Sequence, residues 1–197
     1  MKITISLIKA DIGSIGGHIK PSSKVLETVI NFIKSSPLII DSHIFHTGDD
    51  IAILMSHIKG IGNDEIHKLA WDALMQGTQI AKEQGLYGAG QDLLKDSFSG
   101  NVKGAGPAVA ELEFQERPAE PFLVFLADKT DPGAYNLPFY LGFADPFHNS
   151  GLLLSPAAKK GFTFRIVDVK YKDADKYIDL KAPADLYDIA VLLRETG

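Results

Sequence analysis

Near the start of the chain Ile3, Ile5 and Leu7 alternate with Thr4 and Ser6, the two-residue period of a strand with one buried face. The strand ends at Asp11, and a glycine-rich loop, "DIGSIGGH", follows. In "PSSKVLETVINFIKSSP" the apolar positions Val25, Leu26, Val29, Ile30 and Ile33 fall at helical spacing between a Ser22 cap and a Pro37 stop. "LIIDSHIF" and "IAILMSHI" read as two strands joined by "HTGDD", where glycine supplies the backbone freedom of a tight turn. A second helix is capped by Asn63 or Asp64, carries a stripe of Ile66, Leu69, Ala70, Ala73, Leu74, Ile80 and Ala81, and stops at Gly85. Gly77 inside it reads as a local weakness of roughly 1 kcal/mol against alanine. The stretch "LYGAGQDLLKDSFSGNVKGAGP" is too rich in glycine for a helix and long for a passive connection. Two more strands are expected at "AVAELEFQE" and "FLVFLAD", another around "FTFRIVDV", and a terminal helix from near Pro183 with Leu186, Ile189, Ala190 and Leu193 on one face.

The order strand, helix, strand, strand, helix, strand is that of a ferredoxin-like split βαβ sheet. The expected fold class is therefore α+β, a layered α/β sandwich with extra strands appended, in one domain over 1–197. In that topology the first and second strands are parallel with the third antiparallel between them. The end of the first strand and the second-to-third turn then share an edge, so Asp11 meets Asp49 and Asp50. The second helix returns to the same edge with Tyr87 and Gln91, and Asp128 arrives there if "FLVFLAD" runs back.

Composition narrows what such a rim can hold. Apolar residues make up 45% and charged residues 23%, which suits a folded globular chain rather than a disordered one. A formal charge of −5 argues against nucleic-acid binding, whose affinity comes largely from cations displacing phosphate counterions. Cysteine is absent, so a metal must be held by oxygen or imidazole. The start lacks the apolar run of a signal peptide and no apolar stretch approaches bilayer length, so a cytoplasmic location without membrane contact is expected.

Asp11, His18, Asp49, Asp50, Gln91 and Asp128 thus converge from four separated segments. Clustered carboxylates repel unless a cation lies among them, and hard oxygen donors with one amide and one imidazole suit Mg²⁺, or Mn²⁺, better than a structural zinc. Adjacent aspartates can lean toward different ions of a two-metal pair that clamps the attacking and leaving oxygens of a phosphoryl displacement. Each feature also has a plainer reading: Gly-Asp-Asp is a common hairpin turn, and "GSIGGH" matches no dinucleotide fingerprint. Of the six histidines, His43, His57, His67 and His148 are expected to face solvent or to satisfy local hydrogen bonds.

The segments "IKADIGS" with "GH" after it, "HTGDD", "GLYGAGQDLLKDSFSGNVKG", "ADKTDPGAYNLP" and "FADPF" together resemble the archaeal-type fructose-1,6-bisphosphate aldolase/phosphatase family over nearly the whole chain. The resemblance implies a cytoplasmic, homo-oligomeric enzyme of gluconeogenesis that joins triose phosphates and then hydrolyses fructose 1,6-bisphosphate with two or more Mg²⁺ ions. It implies Asp11, His18, Asp49, Asp50, Gln91 and Asp128 as metal ligands, with Asp11 also the base for the attacking water. It implies His18, Tyr87, Gly100, Asn101 and Lys129 as contacts of the sugar bisphosphate. The family's chains are longer, and no segment like "GKYVGKDDP" is present, so no lysine here takes the Schiff-base role of the aldolase step. Two functions compete: a phosphatase in its own right, or a non-catalytic half that binds metal and sugar phosphate and needs a second polypeptide.

Overall fold

A computed structural model describes residues 1–94, 106–118, 122, 124–128, 136–167 and 176–194. They form two compact units, Met1–Asp128 and Lys129–Gly197.

The first unit is a four-stranded antiparallel sheet in the order β2-β3-β1-β4, built from β1 (Lys2–Ala10), β2 (Asp41–Thr47), β3 (Asp50–His57) and β4 (Ala108–Gln115). The split βαβ order is therefore present, with β3 between β1 and β2. Helices α1 (Ser23–Lys34) and α2 (Asp64–Glu83) pack together over one face. Ile8, Ile51, Ile53 and Met55 of the sheet meet Val25, Val29 and Ile33 of α1 and the apolar stripe of α2. Most of these side chains are wholly buried, each contributing about 1.5–3 kcal/mol of transfer free energy. The caps are as expected: Ser22 Oγ accepts from the Val25 amide at 3.2 Å, and Asn63 Oδ1 accepts from the Glu65 and Ile66 amides at 3.1 and 3.3 Å.

Gly77 has a different role from the one its helix propensity suggests. A Cβ there would lie 2.6 Å from Ile12 Cδ1 and 2.9 Å from Val29 Cγ2, so this glycine is where α2 closes against α1 and the end of β1. A local propensity scale cannot register that contact, because both partners are distant in sequence.

His57 and His67 also depart from expectation. His57 is wholly buried, and its Nε2 lies 2.8 Å from Ser6 Oγ across 51 residues of sequence. Ser6 Oγ donates in turn to Glu111 Oε1 at 2.6 Å, so the shared His57–Ser6 proton is carried by Nε2. His57 Nδ1 then accepts from the Lys59 amide at 3.2 Å, which requires a neutral ring. Burial, together with the nearby His67, lowers the His57 pKa against the pull of Glu111. Burial alone would raise Glu111, but hydrogen bonds from Ser6, Gly62 and His67 outweigh it and hold the carboxylate ionised. The network fastens β4 to β1 and to the start of α2.

The segment 122–128, expected as a strand, forms none among its described residues. Apolar content signals burial, but a strand also needs a neighbour presenting backbone groups in register.

In the second unit β5 (Phe162–Val167) pairs antiparallel with β6 (Tyr177–Ala182), and α5 (Leu186–Arg194) buries Ile189 with Leu180 and Ala182. Helices α3 (Asn136–Phe143) and α4 (Gly151–Leu154) precede them, and the Asn136 side-chain Nδ2 donates to the Leu193 carbonyl at 2.9 Å. β5 and α5 were expected; β6 and α3 were not. β6 had a signal in the alternation of Ile178, Leu180 and Ala182, whereas Pro138 and Gly142 obscure α3. Among the described residues no helix is long and apolar enough to cross a membrane.

Candidate metal centre

The register of the sheet fixes what meets at its rim. β1 runs antiparallel to β3 with Ala10 opposite Ile51, and the β2–β3 turn closes on Thr47 opposite Asp50. Asp11, one residue past the ladder, is thereby brought beside Asp49 and Asp50. After α2 the chain returns along residues 11–14: the Ser14 amide donates to the Tyr87 carbonyl at 2.9 Å, the Tyr87 amide to the Ser14 carbonyl at 3.2 Å, and the Gly90 amide to the Ile12 carbonyl at 3.1 Å.

Two groups of possible ligands result. Asp11, His18 and Asp49 offer atoms within 4.8 Å of one another, and so do Asp49, Asp50 and Asp128. Asp49 belongs to both, is wholly buried, and therefore stands where two ions can share a carboxylate. His18 Nδ1 lies 2.8 Å from Asp49 Oδ2 and 3.5 Å from Asp11 Oδ2. The His18 backbone is left-handed, with φ of 68°, alone among the described non-glycine residues. Holding a residue there costs about 1–3 kcal/mol and aims its ring back at the acids. The His18 amide donates to Ser14 Oγ at 3.1 Å, and the exposed Tyr87 ring meets the imidazole edge-on at 4.8 Å.

Gly48 serves the turn twice. Its φ of 58° suits glycine, and any side chain would collide with the Asp128 carboxylate. Asp128 therefore reaches the centre only because the turn is bare, and it does so without a strand to carry it.

The electrostatics are those of a crowded acidic site. Asp11, only 5% exposed, is pushed up to about 6, chiefly by burial and then by Asp49, against a hydrogen bond from the Gly13 amide to its Oδ1 at 3.1 Å. Burial also raises Asp50, although Lys9 forms an ion pair with it and pulls the other way. Asp92 is raised for the same leading reason. Several buried carboxylates crowd around one ammonium, Lys9, with the His18 imidazole beside them, and oxygen donors with one imidazole suit a hard divalent ion. The donor set fits a metal.

Gln91 is exposed, but a Cβ at Gly88 would lie 3.2 Å from Gln91 Oε1 and 3.8 Å from Asp11 Oδ2, so amide and carboxylate flank the same glycine. Gly100, Asn101 and Lys129 lie outside the described residues. Sequence reasoning missed Lys9 and Asp92. Lys9 lies one residue before the end of a largely buried strand, an uncommon place for an ammonium, and Asp92 follows Gln91 directly; nothing else in the sequence separated them from other charged residues.

The family model described as fructose-1,6-bisphosphatase matches residues 2–197. A fructose-1,6-bisphosphate aldolase/phosphatase of Thermus thermophilus is 58% identical over 198 residues, spanning 100% of this chain and 54% of the relative. The protein of the same name from Cenarchaeum symbiosum is 59% identical over 169 residues, with 86% and 45% covered, and that from Moorella thermoacetica 48% identical over 196 residues, with 100% and 51% covered. The chain spans about half the length of the curated relatives it matches. With residues 2–197 matched by the family model, the chain belongs to the fructose-1,6-bisphosphatase family, and the relatives above carry the name fructose-1,6-bisphosphate aldolase/phosphatase.

Proposed function

We propose that this chain is the metal-holding part of a Mg²⁺-dependent phosphatase acting on fructose 1,6-bisphosphate, in the cytoplasm and in gluconeogenesis. The observation that carries the reading is Asp49, wholly buried and common to two ligand groups that draw on three separate segments. Asp11, His18 and Asp49, with Gln91, would hold one ion, and Asp49, Asp50 and Asp128 a second. Bound there, divalent ions would neutralise phosphate charge and make an attacking water more acidic.

Hydrolysis then asks three things of the chain's own residues. The water must lose a proton, and Asp11, a buried carboxylate of the first ligand group, is the base proposed to accept it. The imidazole beside Asp49 must keep its orientation, which the left-handed backbone and the edge-on Tyr87 ring both favour. The phosphate needs further positive charge, for which Lys129 is the proposed source, with Gly100 and Asn101 as backbone and amide contacts of the sugar bisphosphate. No lysine of this chain is assigned an aldolase step; triose phosphates and homo-oligomeric assembly belong to the longer family members the sequence resembles.

The test is phosphate release from fructose 1,6-bisphosphate. We expect EDTA to abolish it and Asp50→Ala to lower it at least about 100-fold. Normal turnover by that variant refutes the assignment. The alternative reading is a non-catalytic half that binds metal and sugar phosphate and needs a second polypeptide. Calorimetry separates the two: heat of binding for Mg²⁺ and the sugar bisphosphate without phosphate release supports the second, and turnover by the chain alone excludes it.

A further inference from the structure

One carboxylate at the rim belongs to neither ligand group. Asp92 lies in a 3₁₀ turn, Gln91–Leu93, and is tied to Asp11 by reciprocal hydrogen bonds. The Asp11 amide donates to Asp92 Oδ2 at 2.9 Å, and the Asp92 amide donates to the Asp11 carbonyl at 3.1 Å. With the bond from the Gly90 amide to the Ile12 carbonyl, the turn is strapped along the chain where β1 has just left the sheet, since the β1–β3 ladder ends at Ala10 and Ile51. Beyond that point no strand partner among the described residues holds the Asp11 backbone. Its carboxylate direction depends on what the amide is bonded to, and that acceptor is the Asp92 side chain.

The same clasp governs a second residue. Gln91 precedes Asp92, and its Oε1 faces Asp11 Oδ2 across Gly88. A shift of the 88–93 turn against β1 would move the amide and the carboxylate apart together.

We infer that Asp92 is a positioning residue of the metal centre: its carboxylate, hydrogen-bonded to the Asp11 amide, locks the turn after α2 to the end of β1 and so sets Asp11 and Gln91 toward the ion. This rests on the metal reading above, and two other roles must be separated from it, direct ligation and diffuse negative charge. Asparagine separates them. In Asp92→Asn the side-chain oxygen still accepts from the Asp11 amide, while the charge is gone; in Asp92→Ala both are gone.

The experiment is a Mn²⁺ titration of the full chain followed by the electron paramagnetic resonance signal of the free ion, with melting curves alongside. Asp92→Ala is expected to weaken Mn²⁺ affinity about 10–100-fold, and Asp92→Asn to bind at least about tenfold more tightly than alanine does. Asn63→Ala removes the cap at the far end of α2 and serves as a stability control: it should lower the melting temperature and leave Mn²⁺ affinity unchanged. Equal losses in the asparagine and alanine variants overturn the positioning role in favour of charge or ligation, and unchanged affinity in alanine overturns it outright. If the unsubstituted chain binds no Mn²⁺, the metal reading fails and this inference with it; if it binds and only the asparagine comparison fails, the metal reading stands.

Discussion

Asp11 is an acid kept where its charged form is costly. Its folded-state value of about 6 lies above the ordinary 3.8, so between those values the folded chain binds more protons than the unfolded one. The sign follows from linkage: stability from this group is present at low pH and is lost as pH rises through about 6. We expect the metal-free chain, in EDTA, to lose stability to urea between about pH 4 and 7, and Asp11→Asn to flatten part of that slope. A slope unchanged by the substitution would mean that Asp11 does not titrate as described. Asp50 and Asp92 are raised as well, so some slope should remain in the variant. At this scale the sequence was informative wherever residue chemistry was unusual, as in the adjacent Asp49 and Asp50. It was silent on Asp92, because one aspartate beside a glutamine looks like any other until its hydrogen-bond partner is known.

For elements, Gly77 shows what periodicity leaves out. By propensity alone, Gly77→Ala should stabilise α2 by roughly 1 kcal/mol. The added methyl would instead press on Ile12 and on Val29, whose branched side chain has little rotamer freedom to move aside. Overpacking typically costs about 1–3 kcal/mol, so we expect a net loss of about 1 kcal/mol in urea unfolding, with the slope unchanged. A gain would show that the helix pair can open at no cost. Strands and helices of the first unit were legible because their apolar periods are strong; 122–128 was misread because the sequence records its apolar content and not its partner.

For the molecule as a whole, the boundary between the two compact units falls at Asp128, and every described residue of the two ligand groups lies in the first. We therefore expect residues 1–128, produced alone, to fold and to melt higher with Mg²⁺, by an amount equivalent to about 2.7 kcal/mol at a hundred times Kd. No shift in 1–128 alongside a clear one in the full chain would show that the second unit contributes to the centre. Lys129, the proposed phosphate contact, is not among residues 1–128, so the same fragment should bind metal and release little phosphate.

By itself the sequence determined the order of β1 to β4 with the two helices between them, the absence of thiolate ligands, and the set of acids available for an ion. Those are consequences of local pattern and residue chemistry. Tertiary structure alone decided that Gly48 must stay bare for Asp128, that Gly77 is a contact and not a defect, that His57 is buried and neutral, and that Asp92 clasps Asp11. Each of these depends on two segments far apart in the chain coming within a few ångströms, and no window along one sequence contains both.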